Sequence, residues 1–281
     1  MAKINLDKYY TSKELAKHCI DVVNRLGLEI TEIIEPSAGN GSFSLQIPNC
    51  IAYDTSAGNG SFSLQIPNCI AYDLEPEHES IIQQDFLKLE LPYKKGRLFI
   101  GNPPFGTRNT LSVGFYKQAT KMGDYIAFIL PVSQYNNNQQ MYEFNLIHSE
   151  VLPLIEYSGV KLLCCFNVYK RPENGVNTKA INYKLNDVFV GEYRRGGSYK
   201  KPDTFDFAMN TYGASIGKEV QEIGTFCQEN YVIIKNETYR ERILDVMKNT
   251  DWTNLYPFIS SPKIQTWKIY KYLKEQIPEL N

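Results

Sequence analysis

Apolar positions recur at helical spacing early in the chain, where Leu15, Cys19, Val22, Val23 and Leu26 fall on one face and Gly27 closes the segment. Ahead of them, Thr11-Ser12-Lys13-Glu14 has the form of a capping box, so an amphipathic helix is predicted to open the domain. Short apolar runs at 30–34, 69–72 (ending in Asp73), 97–101 and 125–130 (before Pro131) read as strands. Residues 113–122 give the clearest helix between them, stopped by Gly123. This alternation predicts an α/β fold built on a doubly wound, mostly parallel sheet.

After Glu150 the pattern changes. The run 151–157 leads through Gly159 to 161–169, which reads as a hairpin at the sheet edge, and Pro172-Glu173-Asn174-Gly175 then breaks the pattern. A domain boundary is expected there, dividing the chain into 1–172 and a smaller α+β region, 173–281. That second region shows short strand-like pieces followed by helical stretches around 239–248 and 262–274.

One segment is duplicated. SAGNGSFSLQIPNCIAYD occupies 37–54 and recurs unchanged at 56–73, with Thr55 between the copies. Two copies do not make a solenoid. A single α/β domain needs one glycine loop and one following strand with its acid, so one set must be displaced. The first copy has the better entry, because Ile33-Ile34-Glu35-Pro36 precedes it. The second has the better exit, because Asp73 runs into Leu74-Glu75-Pro76-Glu77. The expected arrangement takes the loop from Gly39 to Phe43 and the acid Asp73, with 44–68 as an enlarged crossover, which loop entropy tolerates. The competing register uses 50–54 and the second loop, and would displace 30–34 from the core.

Composition narrows the class without naming it. The chain has 281 residues, 43% hydrophobic content and a formal charge of −1, as expected for a soluble globular protein with a real core. No apolar run approaches the roughly twenty residues of a membrane span, and the N-terminus lacks a signal-peptide core, so cytoplasmic residence and no membrane partner are expected. The six cysteines show no Cys-x-x-Cys spacing and the three histidines lie far from them, so reduced thiols and no metal are expected. Between 157 and 201, Lys161, Lys170, Arg171, Lys179, Lys184, Arg194, Arg195, Lys200 and Lys201 face only Glu173, Asp187 and Glu192. With tyrosines interleaved, this stretch suits a phosphate-backbone contact, although such charge runs are also common on solvated faces.

The chemistry concentrates in Asn102-Pro103-Pro104-Phe105, which follows the apolar 98–100 run, and in the upstream loop Glu35-Pro36-Ser37-Ala38-Gly39-Asn40-Gly41-Ser42-Phe43. Two prolines fix φ and remove two donors, so the Asn102 amide oxygen and the Pro103 carbonyl can present acceptors together. Phe105 then offers a ring face. This combination suits an exocyclic amine on a planar ring, whereas the tetrapeptide without the glycine loop would be read as a proline turn after a strand.

These residues resemble the DNA adenine-N6 methyltransferases of restriction-modification type, with cofactor motifs first and a target-recognition region last; the resemblance covers most of 9–169. It implies a Rossmann-like S-adenosylmethionine methyltransferase fold, S-adenosyl-L-methionine as donor, duplex DNA with a flipped adenine as substrate, and a cognate restriction endonuclease acting at the same sequence. It places Tyr10 and Thr11 near the cofactor's carboxylate, with Ser12 where the family usually has proline. Glu35, Pro36, Ser37, Gly39, Asn40 and Gly41 would line the methionine end. Asp73 or Glu75 would take the ribose hydroxyls, Asp85 and Phe86 would lie by the adenine of the cofactor, and Asn102 would touch both cofactor and substrate. Phe166 resembles a second aromatic holding the flipped base, and reads equally as a core phenylalanine. RNA adenine, a protein glutamine amide, or an inactive nucleic-acid-binding chain spoiled by the duplication remain open as alternatives.

Overall fold

A computed structural model describes residues 11–47, 69–157, 160–197, 199–253 and 263–281. The chain divides into two compact units, Met1–Ile181 and Asn182–Asn281. The first opens with helix α1 (Lys13–Arg25), where the Ser12 side chain accepts a hydrogen bond from the Leu15 N–H and Ala16, Cys19, Val22 and Val23 are buried. The apolar face forms as predicted, whereas the cap sits one residue later than the Thr11 box implies: Ser12 is the N-cap, and Thr11 Oγ1 accepts from Asn102 Nδ2 instead. Gly27, at φ +61°, lies just beyond the helix end.

A seven-stranded sheet follows. Its strands are β1 (Glu32–Glu35), β2 (Cys69–Asp73), β3 (Ile82–Gln83), β4 (Arg97–Gly101), β5 (Tyr125–Pro131), β6 (Asn145–Val151) and, after a separate two-stranded hairpin of β7 (Ile155–Tyr157) and β8 (Val160–Leu162), β9 (Cys164–Lys170). Helix α2 (Thr110–Thr120) connects β4 to β5. The order across the sheet is β3-β2-β1-β4-β5-β9-β6. The first five strands run parallel, and β9 is antiparallel to both its neighbours. The expected mostly parallel α/β sheet is therefore observed.

Strand alternation separates the two faces. Ile33, Leu98, Ile100, Ala127 and Ile129 pack with α1, whereas Ile34, Phe99, Ile126 and Phe128 pack with Phe115, Tyr116 and Ala119 of α2. Helices on both faces require strands buried on both sides. All four residues of β1, all of β4 and six of β5 are buried accordingly.

The expected hairpin of 151–157 with 161–169 forms at its tip, where β7 pairs with β8, but its edge position needs correction for β9. The long partner of β9 is β6, and β9 lies inside the sheet between β5 and β6. Six of its residues are buried while β6 is partly exposed along its length. The physical reason is burial on both faces, which suits an interior strand and leaves β6 as the edge.

The duplication resolves as a composite. Glu32–Glu35 sits in the sheet between β2 and β4, and its partner on one side is Cys69–Asp73 from the second copy. The loop after β1 comes from the first copy. The competing register, which displaces 30–34, is not adopted; 50–54 and the second glycine loop lie outside the described residues.

The first unit continues past the boundary expected at 172/173. Asn177 ties the segment down, its N–H donating to the Glu143 carbonyl at 2.9 Å and its side chain to the Tyr142 carbonyl at 2.9 Å. In the second unit an antiparallel sheet of β10 (Val188–Arg194), β12 (Gln228–Ile234) and β11 (Phe207–Asn210), in that order, carries α3 (Arg240–Asn249) and α4 (Thr266–Gln276) on one face. Val188, Val190, Phe207, Val232 and Ile234 pack there with Ile243, Met247, Ile269 and Leu273. This is an α+β arrangement.

Because the two copies are identical, deleting 55–73 leaves the same sequence whichever copy is considered lost. The connection from Glu35 to the next strand then roughly halves and still exceeds the dozen or so residues a parallel crossover needs. The deleted chain should fold and gain about 0.6–0.8 kcal/mol from shorter loop closure. Urea unfolding measures this; failure of the deleted chain to unfold cooperatively would show that the second copy supplies more than a strand.

Candidate functional site

Sheet order reverses between β1 and β4, whose chains leave in opposite directions to β2 and β5. Such a switch point leaves a crevice at the carboxyl ends of the strands, where open α/β sheets bind ligands. Here it holds a cavity of about 220 Å³. Its wall takes Glu35, Pro36, Ser37, Gly39 and Asn40 from the loop after β1, and Asp73 and Glu75 after β2. Asp85 and Phe86 enter from the turn before β4, and Asn102 and Pro104 from the loop after it.

The glycine loop is fastened to the end of β2. Ala38 N–H donates to the Tyr72 carbonyl at 3.0 Å, Gly39 N–H to Asp73 Oδ2 at 2.8 Å, and Glu75 N–H to Asp73 Oδ1 at 2.8 Å. Gly41, at φ +79°, does not line the cavity but turns the loop; a Cβ there would lie 2.8 Å from Leu45 Cγ. Asp73 therefore holds the loop itself, and a carboxylate with two such bonds keeps further acceptor capacity.

Glu35 is 1% exposed, and its carboxylate accepts from Ser44 N–H at 2.7 Å and Phe43 N–H at 3.4 Å, capping the 3₁₀ turn Ser44–Gln46. Burial pushes its carboxyl up to about 8; the bonds from Ser44 and Phe43 oppose this rise, and the nearby charge of Asp73 adds to it. A titratable acid near neutrality thus sits at the root of the loop.

Thr11 joins three segments. Its Oγ1 accepts from Asn102 Nδ2 at 3.3 Å, and its carbonyl lies 2.6 Å from the Ser42 hydroxyl. Ser37 Oγ donates to the Asn102 carbonyl at 3.2 Å. The asparagine is thereby braced from the N-terminal cap and from the glycine loop. Tyr10 lies outside the described residues.

The rest of the tetrapeptide divides its surroundings. Pro103 is buried and Pro104 lines the cavity. Phe105 is half-buried against the core on the α1 side and is not part of the cavity wall. Its carbonyl accepts from Leu111 N–H at 3.2 Å, which anchors it to the first turn of α2. Gly106, at φ +67°, permits this turn, since a Cβ would lie 2.7 Å from Leu111 Cγ. Asp85 Oδ1 accepts from Leu87 N–H at 3.1 Å and pairs with Lys88 at 2.9 Å. Phe86 is 2% exposed and stacks on Phe115, ring centroids 5.2 Å apart.

Phe166 does not join them. It is fully buried on β9, facing the α1-side core among Ile129, Cys164 and Val168. Holding a base would require uncovering it, so the core reading of this residue stands and the base-holding one is corrected. Of the basic stretch, Arg171 is also structural: it pairs with Asp124 at 3.1 Å, donates to the Gly123 carbonyl and lies 4.7 Å from the Phe144 ring centroid.

Leu111 and Phe115, which sequence reading took only as helix or passed over, complete the wall from α2. Their i,i+4 spacing signals one helical face, but nothing in it distinguishes a cavity wall from core. Among the described residues no group of three His, Cys, Asp or Glu side chains is placed to hold a metal ion, and no helix is long and apolar enough to cross a membrane.

No protein-family model and no curated protein sequence matches the chain. Among solved structures, it is similar to a Pyrococcus horikoshii protein provisionally named an RNA methyltransferase, at 14% identity and a TM-score of 0.44, covering 64% of this chain and 91% of that one. It is also similar to the 23S rRNA methyltransferase ErmE, at 13% identity and TM-score 0.36, covering 56% and 68%. A modification subunit from a Vibrio vulnificus type I restriction system matches at 10% identity and TM-score 0.41, covering 67% and 47%. With all three TM-scores below 0.5, the fold assignment rests on the sheet order and the functional reading on this chain's own residues.

The state of Glu35 makes stability depend on pH. Its native carboxyl titrates near 8 against an ordinary value of 4.5, so between these values the folded chain binds more protons than the unfolded one. This contribution is present below about 4.5 and is lost as pH rises through about 8. Glu35→Gln, which mimics the protonated acid, should therefore gain in Tm relative to the parent as pH is raised from about 5 to about 9. A Tm difference that stays flat across this range would show that Glu35 is ionised throughout.

Proposed function

We propose that the chain transfers a methyl group from S-adenosyl-L-methionine to the N6 amino group of adenine in DNA. The observation that carries this reading is the meeting of Asn102 and Pro104 with Glu35, Gly39 and Asp73 around one cavity at the switch point. Two motifs far apart in sequence share a wall there, as a donor site and an acceptor site must.

The residues fit the cofactor. Its hydroxyl and amino groups need acceptors, supplied by the Asp73 and Glu35 carboxylates, and its adenosyl part needs apolar walls, supplied by Phe86, Leu87 and Phe115. Asp73 is already held by two backbone N–H groups, so it is oriented before binding. When bound, S-adenosyl-L-methionine supplies a methyl group carried on positively charged sulfur.

The chain's own residues hold the amine. The Asn102 amide oxygen and the Pro103 carbonyl accept its two protons, and neither Pro103 nor Pro104 offers a competing backbone N–H. These contacts favour a nitrogen lone pair directed away from the base plane. Phe105, half-buried beside the cavity, would supply a face for a base removed from its stack once its ring turns toward the site; unstacking costs a few kcal/mol that stacking partly restores. Positioning and electrostatics dominate, and no general base is required before bond formation. The duplication does not argue for an inactive chain, because the cavity is complete with the loop of one copy and the acid of the other.

Asn102→Ala should lower methyl incorporation into duplex DNA by about 10²-fold or more, as losses of directed hydrogen bonds at reacting centres do, while leaving S-adenosylmethionine affinity within a few-fold of the parent. Calorimetry and labelled-methyl incorporation read the two effects separately. Incorporation near the parent rate would remove Asn102 from the proposed role, and preferential labelling of RNA or protein by the parent would reassign the substrate.

A further inference from the structure

The sheet of the second unit has one face covered by α3 and α4; on the other, Tyr193 and Tyr231 are partly buried against Ala208, Val220 and Ile223, and the exposed ring of Phe189 continues the row beyond them. On β10, Val188 and Val190 point to the helices, so Phe189, Gly191 and Tyr193 point away. On β12, Tyr231 lies opposite Gly191 and between that glycine and Ala208 of β11. Its ring reaches across the glycine, where a Cβ would come within 2.1 Å of Tyr231 Cζ. The absence of a side chain at Gly191 lets the tyrosine lie over β10 between Phe189 and Tyr193.

The resulting row runs about 13 Å along the strand, from four residues at about 3.3 Å each. The Phe189 and Tyr231 ring centroids are 6.1 Å apart, and Phe189 is 40% exposed. Cations stand at both ends: Lys235 Nζ is 6.0 Å from the Phe189 centroid and Lys201 Nζ is 6.0 Å from that of Tyr193. Beyond Tyr193, Arg194 lies 5.7 Å from the exposed Tyr199 ring. Among the described residues neither Lys201 nor Lys235 forms an ion pair, whereas the nearby acids are engaged. Glu229 is buried and accepts from Gly224 and Phe226 N–H, and Asp206 accepts from Ile234 N–H and pairs with Arg240.

We propose that this face binds a short unpaired stretch of nucleic acid, its bases on Phe189, Tyr231 and Tyr193 and its phosphates on Lys235 and Lys201. Aromatic faces accept any base, and flanking lysines supply the complementary charge. Spacing favours an unpaired strand: successive bases in a duplex strand rise only about 3.4 Å, so rings 6.1 Å apart can each take a base only where the strand is unstacked. The site is built from residues of the second unit alone, and its binding does not depend on methyl transfer.

Fluorescence anisotropy of the full chain, without cofactor, with short labelled oligo(dT), oligo(U) and a blunt duplex tests it. Either single strand should bind more tightly than the duplex, and the tighter of the two identifies the preferred sugar. Phe189→Ser removes a partly exposed ring that contacts Tyr231, so its Tm should fall by only a few degrees and the chain stay folded, while single-strand affinity falls about tenfold or more. Lys201→Gln combined with Lys235→Gln should reduce the slope of log affinity against log salt by about 1.4, corresponding to two phosphates. Unchanged single-strand affinity in Phe189→Ser, equal binding of duplex, or displacement by polyglutamate at matched charge would each overturn the proposal. A chain that binds the single strand yet transfers no methyl would overturn the methyltransferase reading and leave this site standing.

Discussion

The site depends on the parallel pairing of β1 with β4. Glu32 opposes Arg97, Ile33 opposes Leu98 and Ile34 opposes Phe99, so the strands end side by side at Glu35 and Gly101. Their far ends are locked by the Glu32–Arg97 ion pair, in which both side chains are nearly buried, with Lys94 joining Glu32 at 2.8 Å. Burial opposes ionisation of Glu32, but the bonds and charges of Lys94 and Arg97 outweigh it and hold the carboxyl below its usual range. Arg97 also donates to the carbonyls of Pro92 and Met122. Breaking such a pair leaves an uncompensated buried charge, at a cost of about 3–5 kcal/mol. A register slip here would also invert which side chains face α1 and which face α2.

From that junction the loops are held by the last residues of the strands and by the helix cap. Asp73 receives Gly39, Glu35 receives the turn after the loop, and Thr11 receives Asn102. The first and third of these contacts cross between segments that the sequence separates widely, while the second closes a local turn. The carboxylates are used twice in this scheme, once to shape the loop and once as acceptors facing the cavity. Glu35 is deeply buried and also sits on the cavity wall.

The duplication is tolerated for a topological reason. A crossover between parallel strands is a connection whose length costs little, so extra residues between the first glycine loop and the second strand leave both functional ends in place. Insertion into β1 or β4 would have changed register. The extra residues fall after the first loop and before the second strand, which leaves the loop of one copy and the strand of the other at the switch point.

The sequence by itself determined the elements and the main architecture. The opening helix with Cys19, Val22 and Val23 on its buried face, and the apolar runs of β1, β2, β4 and β5, were legible because they rest on local periodicity, and the residues flanking each copy pointed to Cys69–Asp73 as the strand beside β1. Tertiary structure alone decided that β9 enters the sheet interior, that Phe166 is core while Leu111 and Phe115 meet the cavity, and that Thr11 braces Asn102. It also decided that Tyr231 lies over Gly191. These facts depend on which strands become neighbours and which faces are covered, and a pattern of period two or 3.6 fixes the orientation of side chains within an element without specifying what stands opposite them.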